Sequence, residues 1–221
     1  MIVAIDGPAG AGKSTVAREI ARRRGFQLVD TGAMYRAVAL KAAEAGVDLH
    51  DQEAVSEVAS ALNFEFRFVG DENVTFCDDQ QLAQEIRTAQ VSRDASIVSA
   101  HPEVRRVLVD LQRQVGKARS SVLEGRDIGT VVFPDADLKL YITASAPIRA
   151  RRRVEQMNDE GQKASYERVL KEIVERDRRD MEREFSPLEK AQDAVEIDTS
   201  TMPIEEVIQR VEDLLVSADS S

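Results

Sequence analysis

Residues 7–14 read Gly-Pro-Ala-Gly-Ala-Gly-Lys-Ser, the most informative stretch of the sequence. It has the pattern Gly-x-x-x-x-Gly-Lys-Ser/Thr, it directly follows the apolar run 2–6, and residues 15–21 after it have the apolar spacing of a helix. A strand, a glycine-rich turn and a helix in this order form the context that a P-loop requires. The sequence therefore predicts a binding site for a nucleoside triphosphate.

The residue types of this turn suit phosphate binding. Glycine and alanine at positions 9–12 let successive backbone N–H groups turn inward around phosphate oxygens, and the following helix adds the positive end of its dipole. Lys13 supplies a point charge for the β- and γ-phosphates, and Ser14 offers a hydroxyl to Mg²⁺, which prefers oxygen ligands. The predicted triphosphate contacts are Gly7, Pro8, Ala9, Gly10, Ala11, Gly12, Lys13, Ser14 and Thr15.

Composition narrows the class of protein. The chain has 221 residues, 43% of them hydrophobic, which is enough for one ordinary domain with a real core. Its 40 acidic and 30 basic residues give a net charge of −10, so no nucleic-acid partner is expected. The single cysteine, Cys77, excludes an internal disulfide, and only two histidines accompany it, so a Cys/His metal site is not expected.

Two features that the sequence lacks bear on where in the cell the protein is expected. No apolar run approaches the roughly 20 residues of a membrane span, and the chain begins with a strand rather than a basic signal-peptide segment. We therefore expect a cytoplasmic protein without a membrane partner.

Strand-like and helix-like segments alternate along the chain. Five strands are predicted, at residues 2–6, 26–29, 121–124, 138–142 and 194–197. Their connections are long enough for right-handed crossovers, which predicts an α/β fold with a parallel sheet covered by helices on both faces. In such sheets, ligands bind at the carboxyl ends of the strands.

One segment breaks this alternation. Phe64, Phe66 and Phe68 alternate with charged residues, and residues 74–76 follow a polar turn at 70–73. This period of two predicts an antiparallel hairpin inserted into the α/β chain. We interpret the phenylalanines as the apolar face of a small sheet rather than as a platform for stacking bases.

Arginines concentrate in the second half of the chain. Arg176, Asp180 and Arg183 stand at i, i+4 and i+7, on one stripe of a helix predicted from Tyr166 to about Arg183. The structural alternative is a surface ion pair of Arg176 with Asp180. A phosphoryl-transfer enzyme would instead use such guanidinium groups to bind anionic substrates.

A second arginine group precedes Gly161. Arg149, Arg152 and Arg153 stand at i, i+3 and i+4, which suits a closing lid. Guanidinium groups on such a lid would neutralise the charge spread over the transferring phosphoryl oxygens.

The motifs taken together resemble those of the bacterial-type cytidylate kinases, a family of P-loop nucleoside monophosphate kinases. The matching runs are 5–15, 30–36, 85–88, 125–136 and 175–180. The most specific are Gly-Arg-Asp-Ile-Gly-Thr-Val-Val-Phe-Pro at 125–134 and Glu-Arg-Asp-Arg-Arg-Asp at 175–180, and the resemblance covers the whole chain. It implies phosphoryl transfer from Mg-ATP to CMP or dCMP, giving ADP and CDP or dCDP, in pyrimidine nucleotide metabolism.

The resemblance also implies an organisation. A sheet of strand order 2-3-1-4-5 is expected in a single domain over 1–221, with a core of residues 1–30, 115–147 and 166–221. A monophosphate-binding region with the β insertion would cover 31–114, and a short helical lid 148–165. A monomer is the simplest expectation.

Site residues follow from the resemblance by motif position. It implies that ATP is the triphosphate at residues 7–15, with Mg²⁺ at Ser14. The implied CMP contacts are Ser96, Arg105 and Asp127 for cytosine, Asp180 for ribose, and Thr31, Arg36, Arg126, Arg176 and Arg183 for the monophosphate. The implied catalytic residues are Lys13, Arg126, Arg153 and Arg183.

The chemistry of cytosine supports one of these assignments. A carboxylate can accept a hydrogen bond from the exocyclic amine of cytosine, whereas uracil presents an oxygen at that position. Asp127, kept ionised by Arg126 and Arg105, is therefore the predicted specificity residue. The alternative is that Asp127 forms a salt bridge with a purely structural role.

Two other functions stay open at this point. A P-loop kinase for another nucleoside monophosphate would fit the same motifs. A kinase for a hydroxyl-bearing metabolite would need a carboxylate base near the γ-phosphate, for which Asp6 and Asp30 are the nearby candidates. A nucleotide-dependent switch is disfavoured because no Asn-Lys-x-Asp motif occurs.

Overall fold

The structure is a computed structural model that describes residues 1–70, 72–159, 161 and 163–219. Asp71, in the turn of the predicted hairpin, and Glu160 and Gln162, in the predicted lid, lie outside the described residues. The chain forms two compact units, one of Met1–Ile2 with Ala21–Gly125 and one of Val3–Ile20 with Arg126–Ser221.

Strands and helices are interspersed along the chain, with pairs of consecutive helices between several of the strands. The strands are β1 (Ile2–Asp6), β2 (Gln27–Asp30), β3 (Phe64–Val69), β4 (Glu72–Cys77), β5 (Gln80–Gln81), β6 (Ser121–Gly125), β7 (Leu138–Thr143) and β8 (Val195–Asp198). The helices are α1 (Lys13–Arg24), α2 (Thr31–Glu44), α3 (Gln52–Ala61), α4 (Ala89–Val98), α5 (Pro102–Ala118), α6 (Ala146–Asp159), α7 (Tyr166–Glu182) and α8 (Ile204–Asp219). A 3₁₀ turn covers Gln84–Arg87 and a π-helical turn covers Ile128–Val132.

Five strands form one sheet in the order β2-β6-β1-β7-β8. Counted within this sheet alone, the order is 2-3-1-4-5, which confirms the prediction. The pairs β2 with β6, β1 with β7 and β7 with β8 are parallel. Strands buried on both faces need apolar side chains in succession rather than alternation, and Val3, Ala4 and Ile5 of β1 are all fully buried.

The apolar core of the second unit lies on this sheet. Ile5, Leu140, Ile142 and Ile197 are at most 1% exposed. Burying one such side chain contributes on the order of 1.5–3 kcal/mol. These strands therefore hold the loops at their carboxyl ends on a rigid base.

The first unit carries the predicted insertion as a three-stranded antiparallel sheet of order β3-β4-β5. Phe64 is buried, whereas Phe68 is 41% exposed, so the apolar face fades toward the turn. The third strand, β5, was not predicted because its two glutamines carry neither alternation nor β-branched residues.

Side-chain caps define several helix starts. Asp30 accepts from the Ala33 N–H to begin α2, and Thr88 accepts from the Val91 N–H to begin α4. Ser165 caps α7 through the Arg168 N–H, as predicted. The helix α7 ends at Glu182, one residue earlier than expected.

Among the described residues, no helix combines the length and apolar character needed to cross a membrane.

Candidate active site

The P-loop leaves β1 through glycines in conformations that other residues rarely adopt. Gly7, Gly10 and Gly12 have φ values of +142°, +77° and +96°. A Cβ atom on Gly7 would lie 1.9 Å from the Ile142 carbonyl oxygen, so only glycine fits there. The turn is thus held against the end of β7 without a side chain in between.

Two polar features of the P-loop suit an anionic ligand. The Lys13 ammonium is buried and donates to the Pro8 carbonyl at 2.9 Å, which keeps its charge inside the turn. The helix α1 begins at Lys13 and has no acidic residue in its first turn. Its N-terminal N–H groups and dipole therefore favour an anion. Ser14 and Thr15, the next two residues, are exposed.

Asp6, the last residue of β1, holds the loop that follows β6. Its carboxylate accepts from the Ile128 N–H at 2.8 Å and from the Gly129 N–H at 2.7 Å. The side chain is buried, and this desolvation raises its pKa to about 6 although the two N–H groups favour the charged form. Asp6 therefore orients the backbone directly after Asp127.

The raised pKa of Asp6 predicts a pH effect on stability. The folded chain binds a proton at Asp6 more tightly than the unfolded chain does between pH 3.8 and about 6, so raising the pH through this window lowers the free energy of unfolding. The shift corresponds to about 3 kcal/mol. Denaturant unfolding of wild type and Asp6→Asn from pH 4 to 7 should show the wild type losing stability relative to the variant. A difference in free energy of unfolding that stays constant as the pH is raised, or that grows in favour of wild type, would contradict this prediction.

Three arginines and two aspartates of the second unit form a charged cluster. The Arg126 Nε donates to Asp180 at 2.9 Å, the Arg176 Nε lies 3.9 Å from Asp180, and the Arg183 Nη2 lies 3.7 Å from the Asp127 carboxylate. Three half-buried guanidinium groups gathered in one place are suited to binding an anion such as a phosphate.

Asp180 is the centre of this cluster. Burial would raise its pKa, but the charges of Arg126, Arg176 and Arg183 outweigh burial and hold the pKa below its ordinary value. The carboxylate therefore stays ionised and holds the guanidinium groups together.

The cluster differs in two respects from the predicted arrangement. Arg183 lies just beyond α7 with extended backbone, so it does not share a helical stripe with Arg176. Arg183 also pairs with Asp127, and Arg126 also pairs with Asp180, which are contacts that the sequence did not predict. The i,i+4 ion pair of Arg176 with Asp180, which was the structural alternative, is present, with Asp180 buried rather than at the surface.

In the first unit, two predicted monophosphate contacts lie on the first turns of α2. Thr31 donates its hydroxyl to the Glu124 carbonyl at 2.6 Å, so its oxygen retains only acceptor capacity in this state. Arg36 donates to Asp30 at 3.1 Å. A Cβ atom on Gly32 would lie 3.1 Å from the Arg36 guanidinium, so the small residue leaves room for that side chain.

The two predicted cytosine contacts of the first unit lie near the end of α4. The Ser96 hydroxyl oxygen is buried and has no hydrogen-bond partner among the described residues. Arg105 is buried, donates to the Ser99 carbonyl at 3.2 Å and stacks 5.4 Å from the centroid of the Tyr35 ring. A buried hydroxyl without a partner costs free energy unless a ligand supplies one.

The arginines predicted for the lid have different surroundings. Arg149 is buried and pairs with Asp177 at 2.5 Å. Arg152 donates to the Thr199 hydroxyl at 3.0 Å and to its carbonyl at 2.6 Å. Arg153 donates to Gln156 one turn later on the surface of α6. Two of the three guanidinium groups are thus fixed by the protein itself.

Sequence reasoning missed the supporting roles of Asp6, Asp177 and Thr199. Asp6 and Asp177 lie inside the runs that match the family, which was the available signal. Thr199 follows β8 and donates to the Ala11 carbonyl at 3.0 Å. No local pattern marks it, because the contact joins residues 188 positions apart.

Comparisons with known proteins point to one family. The sequence profile of the family described as cytidylate kinase matches residues 3–216. A cytidylate kinase of Pelotomaculum thermopropionicum is 48% identical over 210 residues, covering 95% of this chain and 93% of that protein. One of Caldanaerobacter subterraneus subsp. tengcongensis is 46% identical over 209 residues, covering 95% and 92%.

A solved structure shares the fold at much lower identity. Shikimate kinase from Bacteroides thetaiotaomicron superposes with a TM-score of 0.50 at 11% identity, covering 97% of this chain and 98% of that one. This likeness concerns the fold alone. The match of the family profile to nearly the whole chain, together with relatives above 45% identity, shows that the chain belongs to the cytidylate kinase family.

Proposed function

We propose that the protein transfers the γ-phosphoryl group of Mg-ATP to CMP or dCMP, giving ADP and CDP or dCDP. The observation that carries this proposal is the arginine–aspartate cluster. It joins Asp127, on the loop that Asp6 holds against the end of β1, to Asp180 on α7. An anion site with a buried carboxylate beside it suits a nucleoside monophosphate whose base bears an amine.

The proposed contacts keep the assignments made by motif. ATP is assigned to residues 7–15. CMP is assigned to Thr31, Arg36, Ser96, Arg105, Arg126, Asp127, Arg176, Asp180 and Arg183. Support comes from the buried Ser96 hydroxyl, which has no hydrogen-bond partner in the described part of the chain, and from the three guanidinium groups of the arginine cluster. We also keep the single-domain organisation, the lid at 148–165, the monomer and the cytoplasmic location as proposals.

The chemistry requires no general base. The attacking atom is an oxygen of the acceptor phosphate, which is already ionised, so catalysis consists of positioning and charge neutralisation. We assign the neutralisation to Lys13, Arg126, Arg153 and Arg183. Burial of Lys13 strengthens the effect of its charge relative to water.

We infer that Mg²⁺ accompanies the triphosphate with Ser14 as its protein ligand. Within the described part of the chain, no group of three or more His, Cys, Asp or Glu side chains could hold a metal. The exposed Ser14 hydroxyl fits Mg²⁺, which keeps several waters and takes its other ligands from phosphates. When bound, the ion neutralises charge on the β- and γ-phosphates.

The alternative of a hydroxyl-bearing acceptor is less well supported. Both oxygens of Asp6 accept backbone N–H groups. Asp30 caps α2 and pairs with Arg36. Each candidate base is therefore engaged in holding the structure, whereas a general base needs hydrogen-bond reach to the proton that it removes.

Initial rates of ADP formation test the proposal. Wild type with Mg-ATP should turn over CMP and dCMP much faster than UMP, AMP or GMP, and slowest with no acceptor. Equal rates with UMP or AMP would reassign the protein to another monophosphate. Absence of any acceptor-dependent turnover would favour a metabolite kinase or a switch.

A further inference from the structure

The guanidinium group of Arg149 donates nearly all of its hydrogen bonds to other groups of the protein. Its Nε donates to the Ala144 carbonyl at 2.8 Å, and Nη1 donates to the Ala9 carbonyl at 3.0 Å. Nη1 and Nη2 also make a bidentate pair with Asp177, at 3.0 and 2.5 Å. The two side chains are only 5% and 14% exposed. One residue thus joins the end of β7, the P-loop and α7.

The bond to Ala9 acts on the phosphate side of the P-loop. A peptide unit is planar, and its C=O and N–H groups point in opposite directions. Holding the Ala9 carbonyl toward Arg149 therefore turns the Gly10 N–H to the other side, away from Arg149. Inward-turned N–H groups are what a P-loop offers to phosphate oxygens. Arg149 also limits the space at Gly10, where a Cβ atom would lie 3.4 Å from the Arg149 Cβ.

The pair with Asp177 reaches α7, the helix that carries Arg176, which we assign to the phosphate of the acceptor nucleotide. Asp177 is adjacent to Arg176 and one helical turn before Asp180. A bidentate pair fixes both distance and orientation, which a single contact does not. The position of α7 is thereby tied to the peptide that presents the Gly10 N–H.

We propose that Arg149 and Asp177 form a positioning pair that orients the P-loop peptide 9–10 and sets its placement relative to Arg176 and Asp180. Neither residue touches substrate. The pair acts by aligning the groups that bind the donor phosphates with the groups that bind the acceptor. This inference rests on the proposed phosphoryl transfer to CMP.

Conservative variants test the pair. Arg149→Lys keeps the charge but cannot make the bidentate pair and both carbonyl bonds at once. Asp177→Asn keeps the shape but removes the charge. Each variant should weaken the affinity for Mg-ATP roughly tenfold through the misoriented N–H group. Each should lower kcat by roughly 10–100-fold, because small misplacements of reacting groups cost rates of this order.

The matched controls come from the same two helices. Arg151→Lys changes an exposed arginine of α6, and Glu172→Gln breaks the exposed Arg168–Glu172 pair of α7. Both should retain wild-type kcat and ATP affinity. Rates are compared per folded molecule, at a temperature where unfolding curves show that every variant is folded. A loss of stability alone then does not lower the measured kcat.

The double variant tests whether the two residues act as one unit. If they do, Arg149→Lys with Asp177→Asn should lose about as much kcat as either single variant. Losses that multiply would contradict the pair, and so would single variants with kcat and ATP affinity within twofold of wild type. Asp177→Glu provides a charged alternative if Asp177→Asn fails to fold, with a similar loss of kcat expected from the displaced carboxylate.

The two proposals fail in distinguishable ways. If wild type does not phosphorylate CMP, the proposed function is wrong, but the ATP affinities of the same variants still test the orientation of the P-loop peptide. If wild type phosphorylates CMP and the variants equal it, only the positioning pair is wrong.

Discussion

Replacing Lys13 by alanine is expected to lower kcat by roughly 10²–10³-fold, the loss seen when one preorganised charge or donor is removed from a transition state. Lys13 is buried and held inside the P-loop by the Pro8 carbonyl. Its ammonium is thus placed for the phosphates before ATP binds. Steady-state rates of ADP formation at saturating ATP and CMP measure the effect.

An exposed lysine provides the control for Lys13→Ala. Lys190 pairs with Glu196 at the surface, and Lys190→Ala should leave kcat unchanged. A near-normal kcat for Lys13→Ala, with the variant folded, would contradict the catalytic role that we assign to the P-loop lysine.

Replacing Asp127 by asparagine is expected to shrink the preference for CMP over UMP by roughly 100-fold or more. A buried site built to accept a hydrogen bond rejects a base that cannot donate it by large factors. The amide of the introduced asparagine can donate to the uracil oxygen as well as accept from the cytosine amine, so it removes this rejection. Ratios of kcat/KM for the two acceptors measure the change.

The Asp127→Asn variant should also lose absolute activity with CMP, because the Asp127 carboxylate pairs with Arg183 at 3.7 Å and its removal leaves that buried charge less balanced. Asp135→Asn, which changes an exposed carboxylate in the same segment, is the control and should keep both the ratio and the rate. If Asp127→Asn keeps the wild-type ratio while folded, Asp127 does not read the base.

The parts of the fold that could be predicted from the sequence are those determined by residues close together in the chain. The P-loop, its flanking strand and helix, and the Ser165 cap each follow from residues within one short stretch. The sheet order came with the family resemblance. The two-residue strand β5 has no such signature, because pairing with β4 rather than its own composition makes it a strand.

The site was less predictable where distant contacts decide what a side chain does. The spacing of Arg149 suggested a position on a closing lid. Its burial depends on carbonyl and carboxylate partners 5, 28 and 140 positions away. Asp6 was considered only as a candidate base, since its two N–H partners lie more than 120 positions along the chain. Arg183 was placed on a helical stripe, but α7 ends before it.

Transfer of the phosphoryl group to CMP can be followed with a label. Wild-type protein is incubated with Mg-ATP labelled in the γ-phosphate and with CMP, and the nucleotides are separated. If the protein is a CMP kinase, the label should appear in CDP in proportion to the ADP formed. Two results would contradict the proposed function. One is label in inorganic phosphate alone. The other is label in the products of other acceptors but not in CDP, when CMP is offered together with those acceptors.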